Sequence, residues 1–182
     1  MRRYPVAVVL FTVFVDLLGF GIVLPILPFY AQRYGASPVQ IGAIIAAFSL
    51  MQFLFTPLWG RVSDHVGRRP VILTGWVTYA LTMGALAFAQ TPASLWTFGL
   101  ALGLYFGLSE GAERALVRDL AAADERGTAF GWYHMLVGLA AIPAGVALGA
   151  LWAYAGAHVA FLTSAACAAA ACVAFAYYVC TE

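Results

Sequence analysis

Apolar residues fall in long blocks, broken at regular intervals by short polar or turn-forming clusters. The first block, about 5–30, is interrupted only by Asp16 and ends before Gln32-Arg33-Tyr34-Gly35. Ser37-Pro38 opens a second, about 39–58, because proline is tolerated in a first helical turn. The polar stretch Gly60 to Pro70 separates it from a third, about 71–89, and Gln90-Thr91-Pro92 turns into a fourth, about 93–117. Arg118 to Arg126 precedes a fifth, about 128–153, and Tyr154 to His158 a sixth, about 159–180. A membrane helix needs about 20 mostly apolar residues to cross a hydrocarbon layer of about 30 Å. The pattern therefore predicts an all-α polytopic membrane protein with six transmembrane helices. Arg2 and Arg3 before the first block mimic a signal peptide, but the block exceeds the 7–15 residues of a secretory h-region and contains a charge, so it reads as a retained span.

Composition closes off the alternatives. Of the 182 residues, 64% are hydrophobic and 9% charged, against about 45–50% and about 25% in soluble domains, which excludes a water-soluble monomer. Nine arginines, no lysine and eight acids give a net charge of +1, which excludes a polybasic nucleic-acid binder and points to a lipid bilayer as the partner. Eight of the nine arginines (Arg2, Arg3, Arg61, Arg68, Arg69, Arg114, Arg118 and Arg126) fall at one side of a six-span layout, leaving Arg33 alone opposite. By the positive-inside rule both termini face the cytoplasm.

Cys167, Cys172 and Cys180 all lie in the last span, and residues five apart sit about 140° apart on a helix, so neither a disulfide framework nor a metal site is indicated. The fourth span carries Gly99, Gly103, Gly107 and Gly111, a groove without side chains that lets another helix backbone approach. Gly131, Gly138, Gly145 and Gly149 mark a similar seam in the fifth. Packing and a ligand path lined by small residues both remain open for these stripes.

Asp16 is the sharpest single signal, about 18 Å into the first span. A carboxylate near the midplane must be neutral, paired or facing water, and membrane proteins keep one for proton or ion movement or for binding a cation. Gly19, Pro25 and Pro28 downstream loosen the helix ladder and allow a bend. Glu110, Glu113 and Arg114 form a second charged group in the fourth span, either an interfacial ion cluster or a proton-linked or substrate-facing carboxylate. Of the two acids, Glu110 is expected to be the deeper. Ser49 and Gln52 are the remaining polar candidates for a cavity wall, whereas His134, Tyr105, Trp132 and Tyr133 read as packing or interfacial side chains. No metal-ligand spacing, nucleophile elbow or phosphate loop supports a membrane enzyme.

The loop after the second span reads Gly60-x-Val62-Ser63-Asp64-x-x-Gly67-Arg68-Arg69-x-x-Ile72. It resembles the loop signature of the major facilitator superfamily, GxLaDrxGrkxxl, with His65 where an arginine is usual. Leu18-Gly19, five residues, then Pro25-Ile26-Leu27-Pro28 is similar to that superfamily's first-helix pattern. Residues 48–73 resemble the drug:proton antiporters of the tetracycline-efflux type. The second half departs from their pattern: Gly107-Leu108-Ser109-Glu110-Gly111-Ala112-Glu113-Arg114 stands where helix four should carry an arginine, and residues 107–152 look more like the tenth and eleventh helices of other members.

The resemblance implies a half bundle built from two three-helix repeats, 1–90 and 91–182. It implies a secondary transporter of the cell inner membrane, driven by a proton gradient without a cofactor, that exports small hydrophobic or cationic molecules. Asp16 and Glu110 would be proton-coupling or substrate-facing, and Gly60, Asp64, Gly67, Arg68 and Arg69 a cytoplasmic latch between helix ends. A six-helix chain offers one wall of a central site, so transport would require a homodimer or a partner half. The rival expectation is a non-transporting six-helix remnant or minimal bundle that keeps only the packing and topology.

Overall fold

The computed structural model describes residue 28 and residues 30–181, and it is helical with no strand among them. Asp16, Gly19 and Pro25 lie outside the described residues. A last helical turn ends at Arg33, and four helices follow: α1 (Pro38–Val66), α2 (Arg68–Leu86), α3 (Pro92–Leu120) and α4 (Arg126–Thr181).

The ends of these helices have local causes. Ser37 caps α1 reciprocally with Gln40: the Gln40 backbone N–H donates to Ser37 Oγ at 3.3 Å, and the Ser37 N–H donates to Gln40 Oε1 at 2.8 Å. Thr91 caps α3 through its Oγ1, which accepts from the Ser94 N–H at 3.3 Å. At 29 residues, α1 extends about 44 Å, longer than a hydrocarbon core. It therefore carries the polar sequence Gly60 to Val66 as helix projecting beyond the apolar layer, where the sequence pattern predicts a loop. Only Gly67, at φ 101°, separates it from α2, so the expected loop of Gly60 to Pro70 is a one-residue hinge. Polarity marks the edge of the membrane here, and the glycine marks the edge of the helix.

A second glycine does the same work in α4. Gly156, at φ 85° and ψ 170°, is non-helical and divides α4 into two limbs, where a five-residue turn is predicted. Trp152 on the first limb and Phe161 on the second meet edge to face at 5.5 Å, which holds the limbs against each other beside the kink. Tyr30 packs on both rings, and its hydroxyl donates to the Ala89 carbonyl just past α2 at 3.1 Å.

The core is centred on α2, where Trp76, Tyr79, Met83 and Leu86 are fully buried against α3 and α4. The α1 helix lies mainly along α3, and the two run parallel, because their contacts advance together along both chains. A Cβ on Gly99 would stand 2.7 Å from Ile44 Cγ2, one on Gly103 2.5 Å from the Phe48 carbonyl oxygen, and one on Gly107 3.0 Å from Phe55 Cβ. Gly111 faces Thr56 with room to spare at 3.7 Å. The glycines at four-residue spacing thus seat the row Ile44, Phe48, Phe55 at backbone distance. The opposite side of α1 carries exposed Val39, Leu50 and Phe53, and the first limb of α4 exposes Ile142 and Val146. Both helices are long and apolar enough to cross a membrane, and such faces belong against lipid or another bundle rather than water.

Candidate functional site

Two polar centres interrupt this apolar packing. The first is built on α3, where Glu110 and Glu113 stand three residues apart, about 60° round the helix, and meet different neighbours. Glu110 faces α1: Gln52 Nε2 donates to its Oε2 at 2.7 Å, and Arg114 Nη2 pairs with its Oε1 at 2.5 Å. Glu113 faces the other way, with Trp76 Nε1 of α2 donating to its Oε1 at 2.9 Å and the Tyr133 hydroxyl of α4 donating to its Oε2 at 3.2 Å. One turn of α3 thus ties together α1, α2 and the first limb of α4.

The two acids also differ in burial. Glu113 is 6% exposed, whereas the side chains of Glu110 and Arg114 keep 30% and 49% exposure. The expectation that Glu110 is the deeper acid does not describe their burial within the protein. Position along a span orders residues along the membrane normal, but burial depends on which neighbour each helix face meets. The Glu113 face meets α2 and α4, and the Glu110 face meets the edge of α1.

Beside Glu110 lies an aromatic pair. Phe48 precedes Gln52 by four residues and Phe106 precedes Glu110 by four, so one helical turn separates the two pairs along the parallel seam. The Phe48 and Phe106 rings meet edge to face at 5.1 Å. Aromatic faces attract cations and apolar bodies, and a carboxylate one turn away supplies a full negative charge. Ser49 is exposed on α1, and its Oγ donates to the Ile45 carbonyl of its own helix at 3.1 Å rather than joining Gln52. Pro28 lines a small apolar recess with Ala31, Ile41 and Ile44.

The second centre joins the Arg118 end of the bundle. Arg68, in the first turn of α2, reaches three groups: Asp64 on α1 at 2.5 Å, Ser63 Oγ at 2.6 Å, and Asp119 on α3 at 3.3 Å. Ser63 is buried, and its hydroxyl donates to the Gly60 carbonyl at 2.8 Å. Asp119 also accepts from Arg118 at 3.0 Å. Partial burial works against the charge on Asp119, but the hydrogen bonds from Arg118 and Arg68 outweigh it and hold the carboxyl below its ordinary range. Gly67 provides the positive φ that turns the chain so that Arg68 can reach back to Asp64. Arg69 lies beside it in the same turn, half-buried.

Sequence reasoning left out Trp76, Ser63 and Asp119, and it took Tyr133 for packing. The available signal was the two glutamates themselves, each a buried or half-buried carboxylate that demands polar partners, and Trp76 and Tyr133 are apolar rings with a single polar tip. Asp119 belongs to the polar run after the fourth span, whose pairing across helices no local pattern reveals.

Known proteins resemble this chain in sequence and in fold. The sequence profile of the Major Facilitator Superfamily matches residues 9–182. Tetracycline resistance protein, class B, from Escherichia coli is 32% identical over 130 residues, 70% of this chain and 32% of that protein. Quinolone resistance protein NorA from Staphylococcus aureus is 25% identical over 130 residues, 71% of this chain and 34% of that protein. The matched region is therefore about a third of the length of either relative. Among solved structures, the peptide transporter POT, a mutant in complex with alafosfalin, superposes with a TM-score of 0.83 at 19% identity, over 97% of this chain and 39% of that one. The POT family transporter PepTSo gives a TM-score of 0.81 at 18% identity, over 97% of this chain and 37% of that one.

Proposed function

Because the chain belongs to the Major Facilitator Superfamily, whose members are transporters rather than enzymes, we propose that it forms one wall of a secondary transporter. In this reading it exports small hydrophobic or cationic molecules from the cell in exchange for protons. The observation that carries it is the seam between α1 and α3, where the Gln52–Glu110–Arg114 cluster lies one turn from the Phe48–Phe106 pair. Lipophilic cations bind to such a combination, because a ring face and a carboxylate both attract positive charge while the apolar surround accepts the body. The resemblance to two resistance proteins, for tetracycline and for quinolones, favours drug-sized cargo moving outward.

Glu110 is assigned the substrate-facing or proton-coupling role on this wall, together with Asp16 from the first span. Asp64, Arg68 and Asp119 act as a cytoplasmic latch that holds α1, α2 and α3 when that side is closed and releases when the bundle rocks. Arg69, Gly60 and Gly67 belong to the same helix junction. The arginine-rich side supports placing both termini in the cytoplasm, in the cell inner membrane. The helices divide into two three-helix repeats at about residue 90. A second bundle, a copy of this chain or a partner half, packs against the apolar side of α1 and the first limb of α4 and completes the central site. The energy source is the proton gradient, with no cofactor.

The test is uptake of tetraphenylphosphonium by proteoliposomes with an acid interior. Accumulation that collapses with the pH gradient is expected. Folded protein that accumulates nothing at any gradient would end the transport reading in favour of a bundle that keeps only the packing of the family.

A further inference from the structure

Glu113 is the most deeply enclosed carboxylate among the described residues, and neither of its oxygens meets a cation. Its hydrogen-bond donors are an indole N–H and a phenol O–H, both neutral, while the neighbouring guanidinium of Arg114 is paired with Glu110 instead. An ionised carboxylate in an apolar bundle is costly even with two donors, and a proton removes that cost. The site accommodates the proton without moving a heavy atom. Trp76 continues to donate to Oε1, the new hydroxyl on Oε2 donates to the Tyr133 oxygen, and the Tyr133 hydrogen turns away from Glu113.

We propose that Glu113 is a proton-binding site whose occupancy sets how firmly α3 holds α2 and the first limb of α4. With the proton absent, both bonds run to a charged acceptor, and such bonds are roughly twice as strong as neutral ones. With the proton bound, both are neutral and the tie to Tyr133 has reversed. The groups that face this carboxyl are Trp76 from α2, Tyr133 from α4, and Glu110 and Arg114 from its own helix. The glutamates therefore divide the labour: Glu110, paired with Arg114 at the α1 seam, is the one available to a cationic substrate, and Glu113 carries the proton. The inference rests on the transport reading only for its use in a transport cycle, because proton binding is measurable without any substrate.

The test is an infrared pH titration of the whole protein in lipid nanodiscs, following the carbonyl band of protonated carboxyl groups. A band is expected that grows on acidification, is missing in Glu113→Gln, and shifts in position in Tyr133→Phe, where one partner is removed. A titrating band unchanged in Glu113→Gln overturns the proposal, as does the absence of any Glu113-dependent band at every pH. If Glu113→Gln does not fold, Tyr133→Phe decides: a shifted band supports the assignment, and an unaltered band position and midpoint overturn it. Loss of proton-linked flux with the band intact would count against the transport reading alone, and flux without the band against this one alone.

Discussion

Glu110 and Glu113 stand three residues apart on α3, yet Glu110 is held by Gln52 and Arg114 and Glu113 by Trp76 and Tyr133. This divergence places one carboxylate at the open seam with α1 and the other inside the bundle, and it separates the consequences of replacing them.

Glu110→Gln removes a half-exposed i,i+4 ion pair, a contact worth about 0.3–0.5 kcal/mol. Its thermal stability is expected to stay close to that of the parent. Binding of tetraphenylphosphonium, followed by equilibrium dialysis in detergent, is expected to weaken at least about tenfold, equivalent to about 1.4 kcal/mol.

Glu113→Ala behaves in the opposite way. It leaves the Trp76 N–H and the Tyr133 hydroxyl buried without their acceptor, at about 1–3 kcal/mol for each, so a clear drop in melting temperature is expected. Glu113→Gln keeps an acceptor for Trp76 and is expected to recover much of that loss. Equal melting temperatures for the Ala and Gln variants would show that the hydrogen bonds contribute little.

The α1–α3 seam gives a prediction with an internal control. Gly103→Ala puts a methyl group 2.5 Å from the Phe48 carbonyl oxygen, and overpacking of this kind costs about 1–3 kcal/mol. Gly42→Ala, in α1 and with nothing within 4 Å of the added carbon, removes a flexible residue and is expected to be neutral or stabilising, by up to about 1 kcal/mol. Melting in detergent checks the contrast, and a reversed order would contradict the packing described.

The latch at Arg68 carries a pH dependence. Because Asp119 is held below its ordinary carboxylate range, its contribution is fully present above the unfolded carboxylate value of about 4 and is lost as pH falls through the lower folded value. Protection of the α2 N-terminus against hydrogen exchange, measured in lipid, is therefore expected to decline in strong acid and stay flat near neutrality. Asp119→Asn is expected to weaken this protection at neutral pH and remove its own part of the acid dependence. The change is small, because an exposed pair contributes under about 1 kcal/mol.

Much of this architecture is readable from residue order. Helical spans follow from apolar block length, and the glycine spacing at residues 99 to 111 announces a close helix approach, since only a missing side chain admits Phe48 at backbone distance. The boundaries are less legible. Residues 60–66 are polar yet helical, because helix continues past the apolar layer until Gly67 breaks it, and Gly156 alone replaces a predicted five-residue turn. The site is partly legible. Gln52 and Glu110 stand out as polar residues in apolar runs, but that they meet depends on the register between α1 and α3. Glu113 is the harder case, because its partners are aromatic rings that look apolar in sequence and declare a polar role only when their tips converge.

Coupling between the outward passage of a cation and protons would be seen most plainly as substrate-driven proton movement. Proteoliposomes containing the protein and a pH-sensitive dye receive tetraphenylphosphonium from outside, with no imposed gradient. The interior is expected to become alkaline as protons leave in exchange, and Asp16→Asn and Glu110→Gln are each expected to abolish the change while remaining folded. Folded protein that gives no pH change, or the same change in both variants as in the parent, would contradict this coupling.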